Sequence, residues 1–240
     1  MKNNADIFGI AFEDFLGGNA AGVIRVKTML SGFTEDETLP VAYFFRSFDE
    51  MPEWEQRVLN NCRGSILDVG AGAGAHSLEL QHRSYEVTAV DTSPGAVDTM
   101  KQRGVRKAYL SDIMTFSGQK FDTLLFLMNG IGMACDLKGL KKLLLHVKSL
   151  LNPGGVVWIE STDILYMYRE EDGSILLPMG DRYYGEIRYQ LSYGGQKGRP
   201  FRWLFVDEDH LCHTARSCGF TPEIAYYGER SNYIAALHLP

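Results

Sequence analysis

The stretch Gly64-Ser-Ile-Leu-Asp-Val-Gly-Ala-Gly-Ala-Gly-Ala75 constrains this chain more than any other. Ile66, Leu67 and Val69 form a short apolar run, the pattern of a strand buried in a parallel sheet. Gly70, Gly72 and Gly74 follow at once, and a helix is predicted to open at Ala75. A chain that turns this sharply from strand to helix needs residues that tolerate positive φ. Missing side chains also let a ligand approach backbone amides at a helix N-terminus. The stretch therefore reads as a nucleotide-cradling turn, and two nucleotides satisfy it. Gly70-x-Gly72-x-x-Ala75 fits the dinucleotide fingerprint. With Asp68 two residues ahead of the first glycine, the same letters read D-x-G-x-G-x-G.

The chain that follows is predicted as alternating helices and strands. A helix over 75–83 leads to a strand Tyr85–Val90, with Asp91 and Thr92 at its tip. An acidic residue at that tip can accept hydrogen bonds from both hydroxyls of a ribose. Ser93 caps the next helix, with Pro94 in its first position and Gly104 at its end. Lys107–Leu110 is a third strand, followed by Ser111-Asp112-Ile113. Phe121–Leu127 is almost continuously apolar and leads into Met128-Asn129-Gly130. Asp136 caps a helix with one apolar stripe, Leu137, Leu140, Leu144, Val147 and Leu151. Asn152-Pro-Gly-Gly155 then turns into the strand Val156–Glu160.

In order, Asp68-x-Gly-x-Gly-x-Gly74, Asp91, Asp112 and Pro153-Gly-Gly155 resemble the class I S-adenosylmethionine (SAM) methyltransferases over about residues 62–160. The predicted closing strands Pro222–Tyr227 and Tyr233–Leu239 extend the resemblance. It implies an α/β fold: a Rossmann-like, seven-stranded, mostly parallel sheet with helices on both faces and an inserted antiparallel hairpin cap. It implies SAM as cofactor and in-line methyl transfer to an unidentified, small-molecule acceptor. By the same resemblance Gly70, Ala71, Gly72 and Gly74 hold the methionine end, and Asp68 supports the turn or bonds the methionine amino group. Asp91 takes the ribose, Asp112 and Ile113 the adenine, and Asn129 the methionine end or the acceptor; Thr92, next to Asp91, is a further cofactor-binding candidate. The Asn-Pro-Pro-Tyr form of many nucleic-acid amino methylases is absent after the fourth strand, which argues against a DNA-base acceptor. A non-catalytic module binding SAM or S-adenosylhomocysteine (SAH) and an NAD(P)-binding oxidoreductase stay open as alternatives.

Flanking segments complete the predicted organisation. Residues 1–61 are expected to be a helical segment and a candidate lid. Ile7, Phe8, Phe12, Phe15 and Leu16 have helical spacing, an apolar stretch runs from Val23 to Leu30, and the polar run Ser31–Thr38 reads as an exposed link. Tyr43 and Arg46 are candidates for the ligand site, Arg46 through a carboxylate. Residues 62–160 are the SAM-binding core, 161–206 an aromatic hairpin cap over the acceptor site, and 207–240 the closing helix and hairpin. The arginines of the cap hint at an anionic acceptor. No catalytic residue is assigned; His76, Tyr43 and Tyr184 are candidate general bases.

Composition narrows the partners. Net charge is −6, from 24 basic and 30 acidic residues, which disfavours a nucleic-acid surface. No apolar run reaches membrane-spanning length and no signal-peptide pattern is seen, so the expected compartment is the cytoplasm. Cys62, Cys135, Cys212 and Cys218 are scattered, and His210 and His213 lack a nearby third ligand, so no metal is expected. Oligomeric state is not legible.

Overall fold

The computed structural model describes residues 5–30, 34–177, 182–229 and 231–240. Twelve strands and six α-helices are assigned in them. In chain order they are α1 (Ile7–Leu16), β1 (Val23–Met29), β2 (Thr34–Pro40), α2 (Glu53–Asn60), β3 (Ser65–Val69), α3 (Ala75–His82), β4 (Glu86–Asp91) and α4 (Pro94–Arg103). Then come β5 (Ala108–Leu110), β6 (Phe121–Phe126), α5 (Leu137–Ser149), β7 (Leu151–Thr162), β8 (Glu186–Tyr193), β9 (Gln196–Lys197), β10 (Phe201–Leu204), α6 (Glu208–Ser217), β11 (Thr221–Tyr227) and β12 (Asn232–His238).

The core is a seven-stranded sheet in the order β11-β12-β7-β6-β3-β4-β5. Strands β5, β4, β3, β6 and β7 pair in parallel, and β12 runs antiparallel to both its neighbours. Such a sheet must be covered on both faces. On one face Leu140, Leu144 and Val147 of α5 and Leu211 of α6 pack on Leu124, Phe126 and Ile159. On the other, Val58 and Leu59 of α2 and Leu80 of α3 pack on Ile66, Val87 and Leu125. Leu151, predicted on the α5 stripe, instead opens β7. The Pro153-Gly-Gly155 turn lies inside β7 as a bulge, where Leu151 pairs with Phe121 and Val156 with Thr123. Strand order reverses between β3 and β6, so their carboxyl ends flank the crevice where ligands bind in open α/β sheets.

A second, antiparallel sheet has the order β10-β8-β1-β2, with β9 paired to β8. The predicted hairpin cap is therefore half of a larger sheet. The expectation of a helical segment over 1–61 is corrected here: 23–29 and 34–40 are strands, joined through Ser31–Phe33, which lie outside the described residues. Thr34 pairs with Met29 and Thr38 with Arg25. A charged strand with little apolar alternation looks like a link in sequence, yet charge is what keeps a sheet edge from pairing with other chains. Arg230 of the predicted closing turn also lies outside the described residues.

Helix α1 is pinned to the core sheet through α4. The Asp6 carboxylate accepts the Gly9 N–H at 3.0 Å, capping α1, and the Gly95 N–H at 2.9 Å in the first turn of α4. It also accepts the Ser93 hydroxyl at 2.7 Å. Two glycines allow this approach: a Cβ on Gly95 would lie 2.3 Å from the Gly9 Cα. Phe12 of α1 is fully buried between the two sheets' apolar clusters, with Ile24 and Ala73.

Candidate functional site

A cavity of about 940 Å³ lies at the carboxyl ends of β3 and β6, beneath α1 and the antiparallel sheet. Its volume is at the upper end of the roughly 300–1,000 Å³ typical of small-molecule sites. Eleven of the twelve residues expected from sequence at the cofactor site line it: Asp68, Gly70, Ala71, Gly72, Asp91, Thr92, Asp112, Ile113, Asn129, Tyr43 and Arg46. Gly74 does not line it. Its φ is +81°, and a Cβ there would lie 2.9 Å from Val105 and 3.0 Å from Met100, so it serves the packing of α3 on α4. Gly70 and Gly72 also have positive φ, at 69° and 56°, and present bare backbone to the cavity.

The turn is held by the two strand-tip carboxylates. Asp91 accepts the Gly72 N–H and the Ser93 N–H, both at 2.9 Å. Burial pushes its carboxyl up, while those amides pull it back. Asp68 is buried and accepts the Ser77 hydroxyl at 2.6 Å, tying β3 to α3; burial raises its carboxyl too. Asp112 accepts the Met114 N–H at 2.9 Å, which orients its loop beside the buried Ile113.

Past β6 the backbone takes a left-handed conformation at two consecutive non-glycine residues, Met128 (φ 54°) and Asn129 (φ 55°). Such conformations persist only where neighbours fix them. Here β7 does so: Glu160 accepts the Met128 N–H at 2.7 Å, and the Thr162 hydroxyl donates to the Asn129 Oδ1 at 3.0 Å.

At the methionine end expected from sequence sits a buried charge network that no sequence spacing reveals. Arg46 Nη2 donates to both oxygens of Glu55, each at 3.1 Å, and Arg46 Nε donates to the Tyr43 carbonyl at 2.6 Å. The guanidinium lies 3.5 Å from the centre of the Tyr43 ring. Glu55 also contacts His76 Nε2 at 2.8 Å. The side chains of Arg46, Glu55 and His76 are 8%, 1% and 7% exposed. Burial works against both charges, but each group outweighs it for the other: Glu55 is held below its ordinary value and His76 above. One donor is left over. Arg46 Nη1 is buried with no hydrogen-bond partner among the described residues, and Arg46 lines the cavity. An unsatisfied buried donor is costly; this nitrogen has almost no exposed surface, so a ligand carboxylate would satisfy it through a turn of the guanidinium toward the cavity.

Glu160 lies beside this network, 5% exposed, and its pKa is pushed up to about 7 by burial and by the charge of Glu55. The unfolded chain ionises near 4.5, so between about 4.5 and 7 the folded state holds a proton that the unfolded state has lost. This group's contribution to stability falls as pH rises through that window and is flat above it. Glu160→Gln keeps an acceptor for the Met128 N–H and removes the ionisation. It is expected to stabilise the protein by roughly 1–3 kcal/mol at pH 8 and to change little at pH 4, read by chemical denaturation. An equal effect at both pH values would contradict the assignment.

The candidate general bases divide. Tyr184 donates to Asp163 at 2.6 Å and is off the cavity wall. His76 and Tyr43 line the cavity, but His76 Nε2 is taken by Glu55 and the Tyr43 ring by Arg46. The far part of the cavity is aromatic, with Tyr189, Phe201 and Trp203 from the antiparallel sheet and Phe205 just past the end of β10. Gly132 admits that wall, since a Cβ there would lie 2.0 Å from the Trp203 indole nitrogen. No helix among the described residues is long and apolar enough to cross a membrane.

A family model described as a methyltransferase domain matches residues 66–155. A curated relative, the magnesium-protoporphyrin O-methyltransferase of Rhodobacter capsulatus, is 26% identical over 149 residues, 61% of this chain. The chain spans about half the length of that relative, 52%. An amino pentose methyltransferase from Micromonospora echinaspora, solved with SAM, shares the fold alone, at 17% identity and a TM-score of 0.56 over 81% of this chain and 92% of that one. The solved SAM-dependent methyltransferase from Bacteroides fragilis, in complex with SAH, is 37% identical, with a TM-score of 0.88 over 98% of this chain and 94% of that one. Likeness of that extent leaves no place for the oxidoreductase alternative: the chain belongs to the SAM-dependent methyltransferases, and SAM is its cofactor.

Proposed function

We propose that this methyltransferase acts on a small-molecule acceptor held in the aromatic part of the cavity. The observation that carries this reading is the lining: Phe8 and Phe12 of α1 and Tyr189 of the antiparallel sheet share one cavity with the glycine turn. A recess lined by apolar and aromatic side chains suits a small organic molecule. When bound, SAM supplies a methyl group on a positively charged sulfonium and needs little covalent help.

The chain's own residues bind, orient and exclude water. The glycine turn 70–72 offers backbone to the methionine end, and Arg46 Nη1 takes the carboxylate. Asp91, with Thr92, accepts the ribose hydroxyls, and Asp112 and Ile113 receive the adenine. Asn129, fixed by Thr162, faces the junction between cofactor and acceptor. Segment 1–61 and the sheet over 161–206 act together as the cover, with Asp6 as the latch of α1. Closure over the reacting atoms would keep water out and hold the acceptor against the methyl group.

The test is SAH release from SAM, followed against fractionated small metabolites and, separately, against bulk tRNA, DNA and protein. Turnover with a small-metabolite fraction is expected. Turnover confined to a macromolecular fraction would overturn the acceptor class.

A further inference from the structure

Glu160 is a buried carboxylate bonded to the backbone of the cavity wall. It accepts the Met128 N–H at 2.7 Å, and Met128 lines the cavity. The Met128 sulfur in turn lies 3.8 Å from Arg46 Nη2. One left-handed peptide turn, Met128 and Asn129, therefore stands between Glu160 and the end of the cavity given to the methionine part of SAM. The Tyr43 hydroxyl lines the same end, and it is raised by burial and by the charges of Glu55 and Glu160. The field of the buried carboxylates thus reaches the cavity.

The groups that bear on Glu160 come from several elements. Burial and the charge of Glu55 on α2 push its carboxyl up. The Met128 N–H, His76 on α3 and the Trp54 indole N–H on α2 pull it down. Arg46 bonds Glu55 at 3.1 Å, and Asp68 on β3 acts on His76. The cross-strand partner on β12 is the apolar Ile234. With Glu160 protonated, Arg46 and His76 outweigh Glu55 and this group of four carries a net positive charge. Ionised Glu160 brings the four to balance.

SAM and SAH share an ammonium and a carboxylate but differ by one charge. The sulfur is a sulfonium in SAM and a neutral thioether in SAH, which keeps the electron pair of the broken S–CH3 bond. A carboxylate behind the wall acts on the first and not on the second. We propose that Glu160 is a counter-charge to the sulfonium, selecting cationic SAM over neutral SAH and so favouring the exchange of product for fresh cofactor. The inference rests on the placement of the methionine end at Arg46 proposed above. Glu160 acts through the Met128 peptide and is a specificity residue, not a catalytic one. A merely structural role, fixing the Met128 turn, would leave discrimination between the two ligands untouched.

SAM and SAH are each titrated calorimetrically into the full chain and into Glu160→Gln, at pH 8 and at pH 6. The glutamine keeps an acceptor for the Met128 N–H and loses the charge. At pH 8 the substitution should lower the preference for SAM over SAH about tenfold, the order of a Coulomb interaction across a protein wall. At pH 6, where Glu160 holds its proton, the two proteins should agree within about twofold. The ammonium of SAM titrates alike against both proteins and cancels in the comparison. Glu53→Gln removes a carboxylate that is 64% exposed on α2 and should leave the preference intact. A preference at pH 8 unchanged by Glu160→Gln, a change equal at the two pH values, or an equal change in Glu53→Gln would overturn the proposal. Failure of the underlying placement shows differently, as equal weakening of SAH and methylthioadenosine by Arg46→Gln, whatever Glu160 does.

Discussion

Replacing Asp91 by alanine is expected to weaken SAH binding by about 100-fold or more, the loss of two hydrogen bonds to a charged group at roughly 1.5–3 kcal/mol each. The carboxylate stands at the tip of β4, next to the switch point of the sheet, and its two oxygens already hold the Gly72 and Ser93 amides at 2.9 Å. It shapes the glycine turn, and on the proposed reading it also accepts the ribose hydroxyls. Asp91→Asn separates the two tasks in part, because an amide retains one acceptor but loses the charge; an intermediate affinity is expected. The fold should survive both changes, since Asp91 is only partly exposed and its own burial opposes its charge. Calorimetric titration with SAH reads the result, and an affinity within about threefold of the parent's, near the spread of single-contact effects, would remove Asp91 from the site.

The largest expected effect on stability is at Glu55. Its carboxylate is 1% exposed and shared between Arg46 and His76. Glu55→Ala leaves a guanidinium and an imidazole buried without their counter-charge. Breaking a buried pair from one side costs about 3–5 kcal/mol. For a chain of this length that lowers the melting temperature by about 10 °C. The imidazole should also lose its proton more readily, because Glu55 is what holds His76 above its ordinary pKa. Two-dimensional NMR of the His76 ring across pH follows that shift, and thermal melting follows the stability. A melting point unchanged by the substitution would mean that the network does not organise this corner of the fold.

The two kinds of feature in this molecule were not equally open to sequence reading. The glycine turn and Asp91 are local: each is a short run of letters with one backbone consequence, so pattern and structure agree on their positions, whereas Pro153-Gly-Gly155, expected as a turn before a strand, is a bulge within β7. Gly74 belongs to the glycine run, yet faces Met100 and Val105, because the third glycine of the turn answers to helix packing and not to the ligand. Strand β2 was hidden by its own charge; only its pairing with β1, and β1's with the distant β8, makes it a strand. The Arg46–Glu55–His76 network draws one residue each from the segment after β2, from α2 and from α3, with no spacing that marks them as partners. Glu160 ends the strand expected from sequence, as many acidic residues do, but β7 runs on to Thr162, and the importance of Glu160 comes from the left-handed backbone of Met128 that it holds. In each of these cases the deciding partner comes from another element of the fold.

The proposed placement of the amino-acid end of SAM at Arg46 underlies the reading of the whole cavity. It is tested most directly by titrating the parent and Arg46→Gln with SAH and with methylthioadenosine, which shares the nucleoside but lacks the amino-acid carboxylate. The substitution is expected to weaken SAH by about 10- to 100-fold, the worth of a charge-assisted bond, and to leave methylthioadenosine unchanged. Because both ligands meet the same folded protein, any general loss of structure affects them alike and cancels in the ratio. Equal weakening of the two, or of neither, would place the carboxylate elsewhere and contradict the account.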